Sequence, residues 1–246
     1  MDSGIWATWY DLAEGAREGH HRWLHESFLP GLAARPGIAW AAHYQHMGGG
    51  EAMASIGRMV ERGPAGEMGG ATQFVILVGA ASPHLFFRAD SPVLEAGQSA
   101  ETRRRLAERV GTRQCVFAEE ARINGPAYGE ADPGGVTGPA IQTGSFRVRS
   151  IAEEYDLGRW YAQYRFPYMA QMPGSIRTRK LACVAGWAKH AVLYEFTSLE
   201  ARMENFEEPH EMLALDDGEW TSRIVKYTIH APGSPTVGRR LWPPVG

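Results

Sequence analysis

The chain has 246 residues, 44% of them hydrophobic and 22% charged, and a formal net charge of -3. That balance describes a globular protein with a sizeable core and excludes a charge-driven nucleic-acid binder. No apolar run approaches the roughly 20 residues of a membrane span, and the opening Met1-Asp2-Ser3-Gly4 lacks the basic and apolar regions of a secretory signal, so a cytoplasmic location is expected.

The first strand is predicted at 4–10, Gly-Ile-Trp-Ala-Thr-Trp-Tyr, with Asp11 placed to cap the helix that follows. Apolar residues at helical intervals, among them Leu24, Phe28 and Leu32, run from Glu14 to Ala34 until Pro36-Gly37 stops them. Ile38 to His46 reads as the second strand. After a Gly- and Met-rich excursion with a short helix near Ala52–Val60, Gln73 to Ala80 reads as a buried strand. A helix over about Ala100–Val110 leads to a fourth strand at Arg113–Arg122. Cys115 and Cys183, each inside a predicted strand, are expected to be reduced and buried.

Residues 124–139 are dense in Gly and Pro and read as a linker. The pattern then starts again: a strand at Thr143–Arg149, a helix from about Glu153 to Gln171, strands at Ser175–Val184 and Lys189–Phe196, a helix opened by Ser198 as N-cap, and a last strand at Arg223–His230. Residues 231–246 carry four Pro and three Gly and read as an extended tail.

Part of the chain occurs twice. Trp23, Pro30, Ala33, Pro36 and Gly37 recur with identical spacing as Trp160, Pro167, Ala170, Pro173 and Gly174. A fixed period is the signature of a repeated supersecondary unit. The expected fold class is therefore α+β, with two tandem ferredoxin-like βαββαβ repeats. The first spans 1–123, the second 140–230, with the linker at 124–139 and the tail at 231–246. Each four-stranded antiparallel sheet carries helices on one face only, and the bare faces cover one another in a pseudo-dimeric barrel whose interior is expected to hold a small ligand.

The run Trp23-Leu24-His25-Glu26-Ser27-Phe28-Leu29-Pro30, followed by Pro36-Gly37, resembles the dimeric α+β barrel superfamily and, within it, the EthD-like proteins. The His-to-Pro gap is longer here than the usual His-x-Pro of that pattern, and the second copy has Ala162 where the first has His25. Phe206-Glu207-Glu208-Pro209-His210 looks like the stretch before the last strand, where several relatives carry a His. The resemblance covers about 160 residues and implies a small-molecule enzyme working without a cofactor or metal. Its reaction would be His-assisted proton transfer, in cyclisation or isomerisation, or oxygenation of a hydrophobic, aromatic or polyketide-like substrate. The competing readings are a non-catalytic ligand-binding or stress-related barrel and a haem binder. Nucleic-acid and membrane partners are not expected. A homodimer through sheet edges or the tail is.

His25 is the leading candidate acid or base, since imidazole is best suited to proton transfer near neutral pH. His210 and Tyr44 are its candidate partners. His21 lies one turn before His25, but no third ligand has matching spacing for a metal. His43 and His46 lie on the second strand, three apart and so on opposite faces. Tyr44 shares a face with His46. Either set can line a cavity. Arg147 with Arg149, and Arg177 with Arg179, alternate along strands and would form either a cationic pocket for a carboxylate or enolate, or a salt-bridge layer with Glu195, Glu119 or Glu120. Trp6, Trp9, Trp40 and Trp187 would line an aromatic pocket or simply fill the core.

Overall fold

The computed structural model describes residues 2–91, 97–129 and 135–245, and the side chain of His210 lies outside the described residues. So does 130–134, within the expected linker. Helices α1 (14–33), α2 (Glu51–Met59), α3 (Ala65–Met68), α4 (Ala100–Leu106), α5 (151–169), α6 (199–210) and α7 (Trp220–Tyr227) accompany the strands.

Strands β1 (Gly4–Leu12), β2 (Ile38–His46), β4 (Phe74–Ala80) and β5 (Arg109–Asn124) form one sheet, ordered β2-β4-β1-β5. Strands β6 (Ala140–Arg147), β7 (Ser175–Ala185), β8 (His190–Phe196) and β10 (Thr236–Trp242) form the other, ordered β7-β8-β6-β10. The two orders are equivalent. Each sheet's last strand reaches across to the other's second strand, β5 to β7 and β10 to β2, so eight antiparallel strands close into a barrel. Two short strands, β9 (Ile229–His230) and β3 (Glu61–Arg62), extend the sheet beyond β6.

The sequence places the last strand at 223–230, but that stretch is mostly helix α7. Trp220, Ile224 and Tyr227 pack on the outer face of the second sheet at helical spacing, and this outweighs the strand preference of Thr, Ile, Val and Tyr. The closing strand β10 lies in the segment expected to be an extended tail. Asp11 is not a helix cap either: its carboxylate accepts the backbone N–H groups of Thr72 and Gln73, both at 2.7 Å. Ser198 does cap α6, accepting from Ala201 N at 3.0 Å. Ser150 caps α5 in a reciprocal box with Glu153.

The repeated prolines shape the helices. Proline has no N–H for the carbonyl four residues back, and its ring crowds that carbonyl. Here the helix opens into a wider π turn just before it. The turn Leu24–Phe28 precedes Pro30, Tyr161–Arg165 precedes Pro167, and Met203–Glu207 precedes Pro209. In each case the residue before the proline bonds the carbonyl five back: Leu29 to Leu24, Phe166 to Tyr161, Glu208 to Met203. The repeated Pro-Gly ends α1 and α5 through Gly37 and Gly174, whose φ values of +87° and +78° lie in the left-handed region that glycine tolerates.

The barrel interior is filled by side chains. Trp9, Trp40, Tyr44, Val75, Leu77, Phe117 and Leu181 pack in one buried cluster. Their polar atoms find partners across the barrel: Trp9 Nε1 donates to Thr236 Oγ1 at 3.0 Å, Trp40 Nε1 to Asp2 Oδ2 at 2.6 Å, and the Tyr44 hydroxyl to Gly138 O at 2.7 Å. Arg177 grips Glu195 with two bonds of 2.8 and 2.9 Å, and Arg179 donates to Asp2 at 2.6 Å. The expected interior ligand cavity is therefore occupied by an aromatic and ion-paired core.

Candidate functional site

The candidate cluster of titratable side chains lies on the outer face of the first sheet, beneath α1. On β2, Trp40, Ala42 and Tyr44 point into the barrel, while Ala41 and His43 point out toward α1. On β1, Ile5, Ala7 and Trp9 point in, and Trp6 and Tyr10 point out. Helix α1 crosses this outer face, and its π turn carries His25 over β2.

There, His25 Nε2 lies 2.8 Å from His43 Nδ1, and His43 Nε2 lies 2.8 Å from the Tyr10 hydroxyl. Tyr10 and His43 are fully buried, and His25 is half-buried. Burial, then the neighbouring His25 and His21, holds His43 well below the ordinary imidazole range. Burial, then His21, lowers His25 to about 4. Both rings are neutral at physiological pH. Burial also raises the Tyr10 phenol, which keeps its proton. The phenol therefore has a hydrogen to give. When it donates to His43 Nε2, His43 Nδ1–H donates to His25 Nε2, and the outer nitrogen of His25 carries a hydrogen. With the two rings in their other tautomers that outer nitrogen is a free base.

Neighbouring groups fix the cluster. Arg109 stacks on the Tyr10 ring, 4.2 Å from its centroid, and donates to His20 Nε2 at 3.3 Å. That bond fixes the hydrogen of His20 on Nδ1, which meets Glu108 at 3.0 Å. His21 stacks on His25 with ring centroids 5.7 Å apart. Among the described residues no group of three His, Cys, Asp or Glu side chains is arranged to hold a metal.

The remaining expected residues are dispersed. Tyr44 lies on the opposite face of β2 from His25, bonded to Thr137 and Gly138, and is no partner for it. His46 accepts from Val237 N at 3.2 Å. Trp6 and Trp40 face opposite sides of the sheet, so they do not line one pocket. Arg147 is exposed and donates to the Trp187 carbonyl, while Arg149 lies beyond the end of β6 and pairs with Glu61. Arg177 and Arg179 are neutralised by Glu195 and Asp2, so the four arginines form no common cationic pocket. Tyr10 was not among the expected residues, and its one sequence signal is strand parity with Trp6.

A partly open cavity of about 80 Å³ lies between the outer face of the second sheet and its helices, lined among others by Arg165, Glu211, Trp160 and His230. A porphyrin would overfill it several-fold, so the described residues there do not fit a haem.

Superposition on solved structures gives the same architecture end to end. A candidate monooxygenase from Fusobacterium nucleatum matches with a TM-score of 0.56 at 6% identity, over 98% of this chain and 93% of its own. An anthrone oxidase-like protein matches with a TM-score of 0.56 at 12% identity, over 97% and 90%. A candidate chlorite dismutase matches with a TM-score of 0.55 at 11% identity, over 98% and 95%. The fold is the dimeric α+β barrel, here closed within one chain. No protein-family model matches the sequence, and no curated protein matches it. Among the described residues, no helix of this barrel is long and apolar enough to cross a membrane.

Proposed function

We propose that this barrel is a small-molecule enzyme that moves a proton at His25 on a hydrophobic, aromatic or polyketide-like substrate. The observation that carries the reading is the hydrogen-bonded chain from His25 through His43 to the buried Tyr10 hydroxyl. The buried ring of His43 has both nitrogens satisfied, one by the phenol and one by His25, so the half-buried His25 is tied to a fixed partner. The chain fixes the orientation of His25 and allows its outer nitrogen to act as acid or base, as isomerisation and cyclisation require.

An imidazole with a pKa of about 4 is a weak base. It matches a substrate whose C–H bond is already acidified by flanking rings and a carbonyl. Anthrone is such a molecule, and the anthrone oxidase-like neighbour makes it the first substrate to try. His25 takes the C–H proton and the carbanion is delocalised as an enolate. The enolate supplies the electrons to O2, and a carbon–oxygen bond forms. Loss of water completes the balance: anthrone and O2 give anthraquinone and water. A homodimer is compatible with this reading, which does not require one.

Oxygen uptake with anthrone tests it. The wild type should consume one O2 per anthrone above the uncatalysed rate, and His25→Ala should be slower by about 100-fold or more. Wild-type uptake equal to buffer alone, or a His25→Ala variant as fast as wild type, overturns the reading and leaves the barrel as a binding protein.

A further inference from the structure

We propose that the cavity over the second sheet is a binding site for a short carboxylate held by Arg165. It lies in the half of the barrel without the histidine chain and stands independently of the function proposed above. Its walls are β6 and β8 below and α2, α5 and α7 above.

Arg165 sits in the π turn of α5 and is 4% exposed. Its guanidinium lies over the rings of Trp160, Phe206 and Tyr194, at 4.4, 5.0 and 5.5 Å from their centroids. Its Nε and Nη1 are buried and meet no acceptor among the described residues. Aromatic faces attract a cation but cannot accept its N–H bonds in the plane of the guanidinium. The neighbouring Arg202 is treated differently. It is 1% exposed, gives Nε to Gln142 at 2.7 Å, and pairs with Glu207 at 2.5 Å. A buried cation without such a partner is costly, so the cavity is set up to receive an anion from outside.

The carboxyl that lines this cavity, Glu211, does not grip the Arg165 guanidinium. No ion pair or hydrogen bond joins it directly to Arg165 among the described residues; burial raises its pKa, against the opposing charges of Arg165 and Arg202. The Arg202–Glu207 pair neutralises itself, and burial and then Arg62 lower His230 to about 3, so that ring is neutral. Arg165 is left with Nε and Nη1 buried and without a direct acceptor among the described residues.

The other unpartnered atoms suit the same guest. Trp160 Nε1 is a buried donor with no acceptor among the described residues. His230 Nε2 meets Thr228 Oγ1 at 3.2 Å, and that hydroxyl gives its own hydrogen to Val225 O. His230 Nδ1, also buried and unpartnered, therefore presents a lone pair to any hydroxyl the guest carries. A volume of about 80 Å³ admits a carboxylate of a few carbons and excludes an aromatic substrate. Gly144 forms part of the wall, and a Cβ there would make ordinary contact with Pro235, Ser234 and Val192 at 3.8–3.9 Å, so a methyl group fits on the cavity wall without a clash.

Calorimetric titration of the intact protein with sodium acetate, at an ionic strength fixed with sodium chloride, tests the site. Acetate should bind one per chain. Arg165→Gln should weaken it at least 10-fold, and Gly144→Ala should weaken it several-fold with an unchanged melting temperature. Absence of acetate binding to the wild type overturns the proposal, as does undiminished affinity in a folded Arg165→Gln. Should Arg165→Gln fail to fold, Gly144→Ala decides: affinity equal to wild type overturns the site.

Discussion

His25 and His43 meet Nε2 to Nδ1 at 2.8 Å, one on a helix and one on the strand beneath it, 18 residues apart. The meeting depends on two local devices. The π turn before Pro30 sets the face that α1 presents to the sheet, and strand parity turns His43 outward while Tyr44 turns inward.

Tyr10→Phe removes the far end of this chain without touching His25. His43 Nε2 then loses its partner in a fully buried setting, which costs about 1–3 kcal/mol of stability. Tyr10 is a positioning residue, so kcat for anthrone oxidation should fall while KM stays within twofold. A parallel rise in KM with unchanged kcat would assign Tyr10 to substrate binding instead.

Acid should destabilise the protein well above the range in which its carboxylates titrate. His25 has a folded-state pKa of about 4, and that of His43 is also held well below its ordinary value, against about 6.5 in the unfolded chain. Between these values the unfolded chain holds more protons, so stability is complete above about pH 6.5 and is lost as pH falls toward 4. The melting temperature should drop by about 5 °C or more between pH 7 and pH 4.5. In His43→Phe the drop should be smaller, and an equal drop would assign the effect to other groups.

The barrel core gives a prediction unrelated to the site. Glu195 is fully buried, receives two bonds from Arg177 and lies 3.4 Å from Arg179. Glu195→Gln leaves two buried guanidinium groups short of charge and should cost about 3–5 kcal/mol in denaturant unfolding. A loss under 1 kcal/mol would mean that Asp2 alone balances the pair.

The repeated Pro-Gly gives another. At Gly174, φ is +78° and an added Cβ would lie 2.7 Å from the Ala201 Cβ. Gly174→Ala should cost more than the roughly 1 kcal/mol typical of glycine replacement in a relaxed setting, because strain and a clash add. Thermal unfolding measures it, and an unchanged melting temperature would contradict the turn described here.

Much of the fold was legible because periodicity and punctuation agree along the chain. The recurring Trp, Pro and Pro-Gly mark the same helix and turn twice, and β2 has the bounds its sequence pattern suggests. The closing strand was not legible, since the prolines and glycines of 231–246 disguise a strand held by partners distant in sequence. The site was half legible. His25 stood out by its place in the Trp23–Pro30 run, but its partnership with His43 and Tyr10 rests on which strand face turns outward, and one residue of register reverses that. Arg165 left no signal, because an arginine before a proline looks solvated until the aromatic residues around it are placed.

Hydrogen–deuterium exchange of anthrone, followed by NMR in deuterated buffer without oxygen, isolates proton removal from everything that follows it. The account predicts that the wild type accelerates loss of the methylene proton signal and that His25→Ala returns it to the buffer rate. Equal acceleration by wild type and His25→Ala would contradict a proton-transfer role for His25.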